Sequence, residues 1–366
     1  MNLAGPMAHA LTLGRRGLGR CWPNPAVGCV IVKDGRIVGR GWTQAGGRPH
    51  GETMALAQAG AAARGATAFV TLEPCAHVGV TPPCASALIE AGVARVVAAL
   101  GDPDPRVSGG GFAMLRAAGV EVTEGVLRDE AARDHAGFLS RVTRGRPMVT
   151  LKLATSVDGR IATASGESRW ITGPEARRAV HAMRMTHDAV LVGGGTARAD
   201  DPMLDVRGMG EVEQPVRVVL SRRASIPRDG RLALSARWQP LWLLHGTTQV
   251  PPERMRAWHA LGARTIGVPV GRAGEMDPSA ALRALGEAGL TRVLCEGGGA
   301  LAASLLQAGL VDRLVVFGAG LALGAEGRPS LGALSFDRLA DAPRFTLERV
   351  APVGGDTMQV WAVSAP

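Results

Sequence analysis

The sequence predicts an α/β protein of two domains. Three observations carry this reading: the 366 residues exceed what one ordinary core accommodates, short apolar runs alternate with helix-forming stretches along the whole chain, and the alternation breaks sharply once. The break falls around Arg144-Gly145-Arg146-Pro147, where glycine, proline and charge precede a fresh apolar run. It places a boundary between domains 1–145 and 146–366.

The elements follow in order. MNLAGPMAHALTLGRRGLGR carries its basic residues after the apolar stretch, the reverse of a secretory signal, and reads as a helix of the mature chain. PAVGCVIVKDGRIVGRGW reads as two strands turning at Asp34-Gly35, a dipeptide favoured in tight hairpins. GETMALAQAGAAA follows as a helix, ATAFVTLEP as a short buried strand, CASALIEAGV as a helix and ARVVAAL as a strand. The first domain is thus β-β-α-β-α-β, a sheet covered by helices. In the second, MVTLKLATS, DAVLVGGG, PVRVVLS, PLWLLHG, RVLCEGGG and DRLVVFGA are apolar runs separated by helix-like or turn-rich stretches, which implies another α/β domain. No short period repeats.

Composition narrows the function classes. Hydrophobic residues at 46% and charged ones at 20% describe a soluble globular chain, and no apolar run approaches the ~20 residues of a membrane span. Five unevenly spaced cysteines do not make a disulfide framework, so a reducing, cytoplasmic compartment is expected and their spacing needs another explanation. The net charge of +9 is scattered; it suits an anionic ligand, and by itself does not separate a phosphorylated small molecule from a nucleic acid.

The chemistry-bearing residues lie in the first domain. His50-Gly51-Glu52 stands just before a helix, Glu73-Pro74-Cys75 follows a strand, and Cys84 opens the next helix. A catalytic zinc takes three imidazole or thiolate ligands, keeps a fourth position for water and lowers the pKa of that water to about 7. His50, Cys75 and Cys84 supply the three. Glu52, two residues from a ligand, stands where a carboxylate can ferry protons without binding the metal, as in zinc deaminases acting on an amino-bearing ring. Singly, the histidine reads as a cap and the cysteines as buried thiols; jointly the four have few accidental matches. The generic signature spaces its cysteines C-x-x-C, whereas here AHVGVTPP intervenes, with His77 inside it. A thiolate at a helix start is the better zinc partner, so Cys84 is the third ligand and His77 a substrate contact. Cys21, Cys29 and Cys295 are ordinary thiols.

In the second domain DAVLVGGGTARAD and RVLCEGGGALAASLL are strand-turn-helix units of the kind that receives phosphates. Gly297, Gly299 and Ala302 satisfy G-x-G-x-x-A, but far from the first strand where a Rossmann fingerprint belongs, so no Rossmann domain is read from them. Lys152 and Asp158 in KLATSVDG are polar residues amid an apolar strand and its turn. Lys152 there is either an edge residue or a buried ligand for an anion.

NPAVGCVIVKDGRIVGRGW, PHGE and TLEPCAHVGVTPPC closely resemble the deaminase half of the bifunctional riboflavin-biosynthesis deaminase-reductases, the long loop ending in TPPC being their marker among zinc deaminases. LKLATSVDGRIAT, GESRWITG, DAVLVGGGTARADDPML, QPVRVVL and CEGGGALAASLLQAGLVDRL are similar to the reductase half, in the same order, so the likeness covers almost the whole chain. The resemblance implies a cytidine-deaminase-like zinc domain followed by a dihydrofolate-reductase-like domain using NADPH. It implies deamination of 2,5-diamino-6-(ribosylamino)-4(3H)-pyrimidinone 5′-phosphate and then reduction of the ribosyl to the ribityl group. By matching position Asn24 holds the ring; Ala154, Trp170, Thr196, Asp200, Gly298, Gly299, Ala300, Leu301, Ala302, Ala303 and Ser304 meet the cofactor. Ser168, Arg184, Leu204, Arg207 and Glu296 meet the substrate, and the match favours Lys152 as an anion ligand. Arg222 and Arg223 are placed to select the extra phosphate of NADPH, although Ser221 stands where the family often has aspartate. Other departures are Gly51 for alanine, Thr43 and Met54 for histidine, and Val80 for arginine. A homo-oligomer is expected by the same resemblance; no nucleic-acid or membrane partner is. Two rivals remain: a nucleoside or nucleic-acid deaminase, which lacks a basic strip and, with aromatics at 4%, a stacking face, and a non-catalytic C-terminal binding or oligomerisation module.

Overall fold

The computed structural model describes residues 3–77, 82–271 and 274–363. They form two compact units, Met1–Arg146 and Pro147–Pro366. Val80 lies outside the described residues.

The first unit runs α1 (Ala4–Gly14), β1 (Gly28–Lys33), β2 (Arg36–Trp42), α2 (Gly51–Ala59), β3 (Thr67–Val70), α3 (Cys84–Glu90), β4 (Arg95–Ala98), α4 (Gly110–Ala117), β5 (Glu121–Glu124) and α5 (Arg128–Arg144). Its sheet has the order β2-β1-β3-β4-β5. The β1–β2 and β1–β3 pairs are antiparallel, the β3–β4 and β4–β5 pairs parallel. The predicted hairpin is present: Lys33 faces Arg36, and Asp34 and Gly35 both have positive φ, at 48° and 74°, the backbone that a two-residue turn with the right twist demands. Cys29, Val30, Ile31, Phe69 and Val70 are completely buried, because helices cover both faces of the central strands. Burying Phe69 alone is worth about 2–3 kcal/mol.

Two glycines set how closely the helices approach. A Cβ on Gly28 would lie 1.8 Å from the Ala10 carbonyl oxygen of α1, and one on Gly41 would lie 2.0 Å from that of Gly51 in α2. Helix α2 is shorter than the sequence predicts: it stops at Ala59, Gly60 turns to φ 51°, and residues 60–63 continue as a 3₁₀ turn. A glycine just past a helix end adopts that backbone at no steric cost. Elements α4, β5 and α5 are additions to the predicted β-β-α-β-α-β order.

The second unit comprises β6 (Met148–Ser156), β7 (Arg160–Ala162), α6 (Pro174–Met185), β8 (Ala189–Gly193), α7 (Gly194–Asp200), β9 (Val216–Leu220), α8 (Arg231–Leu234), β10 (Leu241–Gly246), α9 (Pro252–Ala260), β11 (Arg264–Val268), α10 (Pro278–Glu287), β12 (Arg292–Cys295), α11 (Gly299–Gln307), β13 (Arg313–Ala319), β14 (Arg328–Pro329), β15 (Phe345–Val353) and β16 (Asp356–Val363). Its main sheet has the order β11-β10-β9-β8-β12-β6-β13-β16-β15. Strands β11 through β13 in that order are parallel, and the β16–β15 hairpin closes the edge antiparallel. The inner parallel strands β8, β9, β10 and β12 are almost wholly buried, which is why they read as mostly apolar runs. Among the described residues no helix is long and apolar enough to cross a membrane.

Candidate functional site

His50 is the residue immediately before α2, Glu52 lies in its first turn, and Cys84 begins α3. The close contact of β2 with α2 at Gly41 fixes the first pair. The ligating atoms of His50, Cys75 and Cys84 all lie within 4.8 Å of one another, the only such cluster among the described residues to include cysteine. His50 Nδ1 stands 3.3 Å from Cys84 Sγ and 3.7 Å from Cys75 Sγ. Zinc bonds of about 2.0–2.3 Å in a tetrahedron put ligand atoms about 3.5–3.8 Å apart, so the donors fit zinc in kind and in spacing. His77 is not part of the cluster.

The protein groups pre-charge this centre. Hydrogen bonding to Cys84, whose backbone N–H donates to Cys75 Sγ at 3.2 Å, holds the Cys75 thiol down at about 4 against the effect of burial. The same contact, with burial, pushes the Cys84 thiol up, and the hydrogen bond to Cys75 raises His50. Burial drives the Glu52 carboxyl up to about 7. Glu52 is 3% exposed, and its Oε2 has no hydrogen-bond partner among the described residues. A buried carboxyl oxygen left unpaired beside a metal-ligand set is what a proton carrier for a bound ligand needs.

These groups open into a cavity of about 230 Å³, also lined by Asn24, Thr43, Arg48, Glu73, His77, Asp102, Asp104, Arg106, Phe138 and Arg141. Asn24 donates from Nδ2 to the Gly47 carbonyl at 2.8 Å. His77 Nδ1 is buried and lacks a partner among the described residues. Thr43 is 1% exposed, and its Oγ1 accepts the Val27 N–H at 3.0 Å, a structural link between the strand flanks.

Sequence reasoning passed over Glu73 and the loop it holds. Buried Glu73 accepts the backbone N–H groups of Asp102 and Gly109 at Oε2, both at 3.1 Å, and of Gly111 and Phe112 at Oε1, at 2.9 and 3.2 Å. The glutamate sits in the TLEPC motif, but its task depends on a loop some thirty residues later. That loop brings Asp102, Asp104 and Arg106 to the cavity, and the Asp-Pro-Asp-Pro sequence by itself signals only a turn.

In the second unit a separate polar cluster forms. Arg184 on α6 pairs with Glu296 after β12, Nε to Oε1 at 2.5 Å and Nη2 to Oε2 at 2.8 Å, and its Nη1 donates to the Asp205 carbonyl at 2.6 Å. Burial works against the Glu296 charge, yet Arg184 and then Lys152 hold its carboxyl below the usual range. Lys152, half-buried on β6, is pushed down by burial and partly restored by Glu296. Leu204 is buried at φ 55°, while Arg207 is exposed and reaches Asp205 at 3.5 Å. Ser168 is half-buried. Asp158 accepts from Ser156 Oγ at 2.6 Å and from the Gly324 N–H at 2.7 Å, so it ties two loops together.

The two glycine turns adjoin. They follow β8 and β12, neighbours in the sheet, and a Cβ on Gly298 would lie 2.9 Å from Thr196 Oγ1. Gly297 needs its bare backbone, since a Cβ there would meet Val192 Cα at 2.6 Å. Carboxyl ends of adjacent parallel strands are where open α/β sheets receive ligands. Around this point Gly299 opens α11 and Ala300 is exposed beside it, whereas Leu301, Ala302 and Ala303 are buried and Ser304 half-buried. Asp200 is exposed and its carbonyl accepts Arg169 Nη2 at 2.9 Å. Trp170 is 67% exposed, with the Arg177 guanidinium 4.6 Å from its ring centre. Ala154 pairs with Phe317 across β6 and β13. Arg222 donates Nη1 to the Gly274 carbonyl, and the Arg223 carbonyl accepts Arg254 Nη1 at 3.0 Å.

Comparisons with known proteins cover both units. Residues 5–100 match the cytidine and deoxycytidylate deaminase zinc-binding region, and residues 147–358 match the RibD C-terminal domain. The chain is 43% identical over 362 residues to the riboflavin biosynthesis protein RibD of Escherichia coli, covering 96% of both chains, and 42% identical to that of Haemophilus influenzae, covering 96% of this chain and 94% of the other. Among solved structures it is similar to RibD of Acinetobacter baumannii (TM-score 0.88, 38% identity, 99% of both chains). It is also similar to a diaminohydroxyphosphoribosylaminopyrimidine deaminase/5-amino-6-(5-phosphoribosylamino)uracil reductase of Thermotoga maritima (TM-score 0.86, 34% identity, 99% of both chains).

Proposed function

The chain belongs to the RibD family of riboflavin-biosynthesis proteins, and from that membership we propose that its first unit deaminates and its second reduces the same phosphorylated pyrimidine. The cytidine-deaminase-like and dihydrofolate-reductase-like folds expected of the two halves hold, and the enzyme is a zinc-dependent hydrolase joined to an NADPH-dependent oxidoreductase. The substrate of the first unit is 2,5-diamino-6-(ribosylamino)-4(3H)-pyrimidinone 5′-phosphate, and the second converts the ribosyl of the product to ribityl. The single observation that carries this reading is the convergence of His50, Cys75 and Cys84 beside an unpaired oxygen of buried Glu52. The reducing character inferred from five free cysteines supports a cytoplasmic location, and a homo-oligomer remains an expectation from the relatives.

His50, Cys75 and Cys84 would hold the zinc, which when bound supplies a Lewis acid and a water of lowered pKa. The chain's own groups do the rest. Glu52 carries two protons in turn through Oε2, the first from the attacking water to the ring nitrogen and the second from the added hydroxyl to the leaving amine, the task a carboxyl near neutrality performs in both directions. Asn24 presents a donor and acceptor pair to the ring edge, and the unpaired Nδ1 of His77 supplies a further polar contact. In the second unit NADPH supplies the hydride. The adjoining turns at Thr196 and Gly298, with exposed Trp170, Asp200 and Ala300, form the cofactor face. Arg184, Arg207, Ser168 and Lys152 form the substrate face, with Glu296 holding Arg184 in place.

The experiment pairs metal analysis with product release. Cys84→Ser is expected to lose zinc and ammonia production together; Glu52→Gln is expected to keep zinc and lose ammonia release by roughly a hundredfold or more. NADPH oxidation on adding the deaminated intermediate tests the second unit in the same preparations. Full zinc in Cys84→Ser, or undiminished ammonia from Glu52→Gln, would overturn the assignment.

A further inference from the structure

An indole that is 67% exposed has little packing to fix its ring, yet Trp170 must hold a defined orientation to serve as a platform for a cofactor. The Arg177 guanidinium lies over that ring, 4.6 Å from its centre. Its Nη1 also donates to the Thr172 carbonyl at 2.6 Å. One side chain thus holds both the indole and the backbone two residues beyond it. We infer that Arg177 is a positioning residue of the reductase: it covers the Trp170 ring and clamps the segment that carries it, so that Trp170 meets NADPH in one orientation. The inference rests on the reading of Trp170 as part of the cofactor face and adds the residue that acts through it.

The placement of Arg177 supports a task in the site. It is the fourth residue of α6, where the helix dipole disfavours a positive charge, and its side chain reaches back past the helix start to Thr172. Residues 177, 181 and 184 are spaced by four and three, so they share one face of α6. Arg184 on that face bonds Glu296 and the Asp205 carbonyl, and His181 Nδ1 lies 3.2 Å from the same carbonyl. The face that serves the substrate therefore continues, one turn earlier, to Trp170. The segment around the indole is tied at two further points: Arg169 Nη2 donates to the Asp200 carbonyl at 2.9 Å, and the Gly173 N–H donates to Asp356 Oδ2 at 2.7 Å. With the backbone held on both sides, the freedom left to control is the rotation of the ring itself. A guanidinium stacks on the electron-rich face of an indole and restricts that rotation. Ordering the ring before NADPH arrives lowers the cost that binding has to meet.

The test is a double-mutant cycle on NADPH binding, followed by calorimetry of the full chain, with NADPH oxidation in the presence of the deaminated intermediate as a second reading. Arg177→Gln should weaken NADPH binding about threefold to thirtyfold and raise KM for NADPH more than it lowers kcat. Arg177→Lys, which keeps the cation and loses the planar fork, should recover part of the affinity. Trp170→Ala should weaken binding at least as much, and adding Arg177→Gln to it should cost little more, because the guanidinium then has no ring to hold. Urea unfolding of the second unit accompanies each variant, and Arg177→Met, which keeps the aliphatic stem, carries the cycle if Arg177→Gln does not fold. Unchanged NADPH affinity in Arg177→Gln would overturn the inference. So would losses that add in full in the double variant, since Arg177 would then meet the cofactor directly. Unchanged affinity in Trp170→Ala would instead sink the reading of Trp170 as a cofactor contact, on which the inference stands.

Discussion

Glu73 Oε1 accepts the backbone N–H of Gly111 at 2.9 Å, and with its second oxygen the same carboxylate satisfies four N–H groups, two in the loop after β4 and two in the first turn of α4. A carboxylate suits that post because it only accepts. Glu73→Gln puts an NH₂ group against two N–H donors whichever way the amide turns, and each unpaired buried donor costs roughly 1–3 kcal/mol. The expected result is a first unit of lower stability in urea unfolding, with reduced ammonia release and zinc retained. Wild-type stability in this variant would show that the loop does not depend on the carboxylate.

Gly41 meets α2 where that helix begins. A Cβ at this position would lie 2.0 Å from the Gly51 carbonyl oxygen and 2.6 Å from the Ala55 backbone nitrogen, both in the helix whose start carries His50 and Glu52. Gly41→Ala must therefore push the start of α2 off the strand, at a cost of at least about 1–3 kcal/mol. Because the displaced turn carries a metal ligand and the proton carrier, zinc affinity and ammonia release should fall together. NADPH oxidation, which belongs to the other unit, should persist. Loss of both activities to the same degree would point to global unfolding and contradict the local account.

The Arg184–Glu296 pair separates stability from recognition. Both side chains are nearly buried, and Glu296 is kept charged by Arg184 and Lys152. Removing one member strands the other, at about 3–5 kcal/mol, whereas replacing both by apolar groups is often close to neutral. Glu296→Gln should thus lower the urea midpoint of the second unit and abolish NADPH oxidation. The pair Arg184→Met with Glu296→Leu should regain most of the stability and none of the turnover. Turnover regained by the double variant would remove both residues from the substrate face.

What the sequence discloses here divides along a physical line. The Asp34-Gly35 hairpin and the zinc set were legible because turn chemistry and metal ligation are written in short spacings of distinctive residues. Strand β10 was legible because a strand buried on both faces leaves an apolar run. Helix α5 escaped notice: it is amphipathic, yet its exposed face crowds it with charge. Strand β15 escaped because nearly all of it is exposed at the sheet edge, so no alternation marks it. Glu73 was hidden for a different reason, since its role lies in contacts with a distant segment that exist only once the chain has folded. The cofactor residues after β8 and β12 came from resemblance alone, since glycine turns look the same whether they pack or bind.

His187 gives the second unit a defined response to acid. It is 6% exposed; its Nδ1 donates to the Met183 carbonyl at 2.7 Å, and its Nε2 accepts from Thr150 Oγ1 at 2.9 Å, so the two bonds specify the neutral ring. Burial, with Arg292 adding repulsion, pushes its pKa down to about 3. An unfolded histidine takes its proton near pH 6.5. Between those values the unfolded chain binds a proton that the folded one refuses, so the free energy of unfolding falls as the pH drops, by up to about 1.4 kcal/mol per pH unit. Urea unfolding of the second unit at pH 7, 6, 5 and 4 should show this decline. His187→Gln should start less stable at pH 7, having lost a matched pair of hydrogen bonds, but lose about one proton's worth less stability on the way down. Parallel declines in the two proteins would mean that the acid response resides in other groups, with His187 serving only as a strut between α6 and β6.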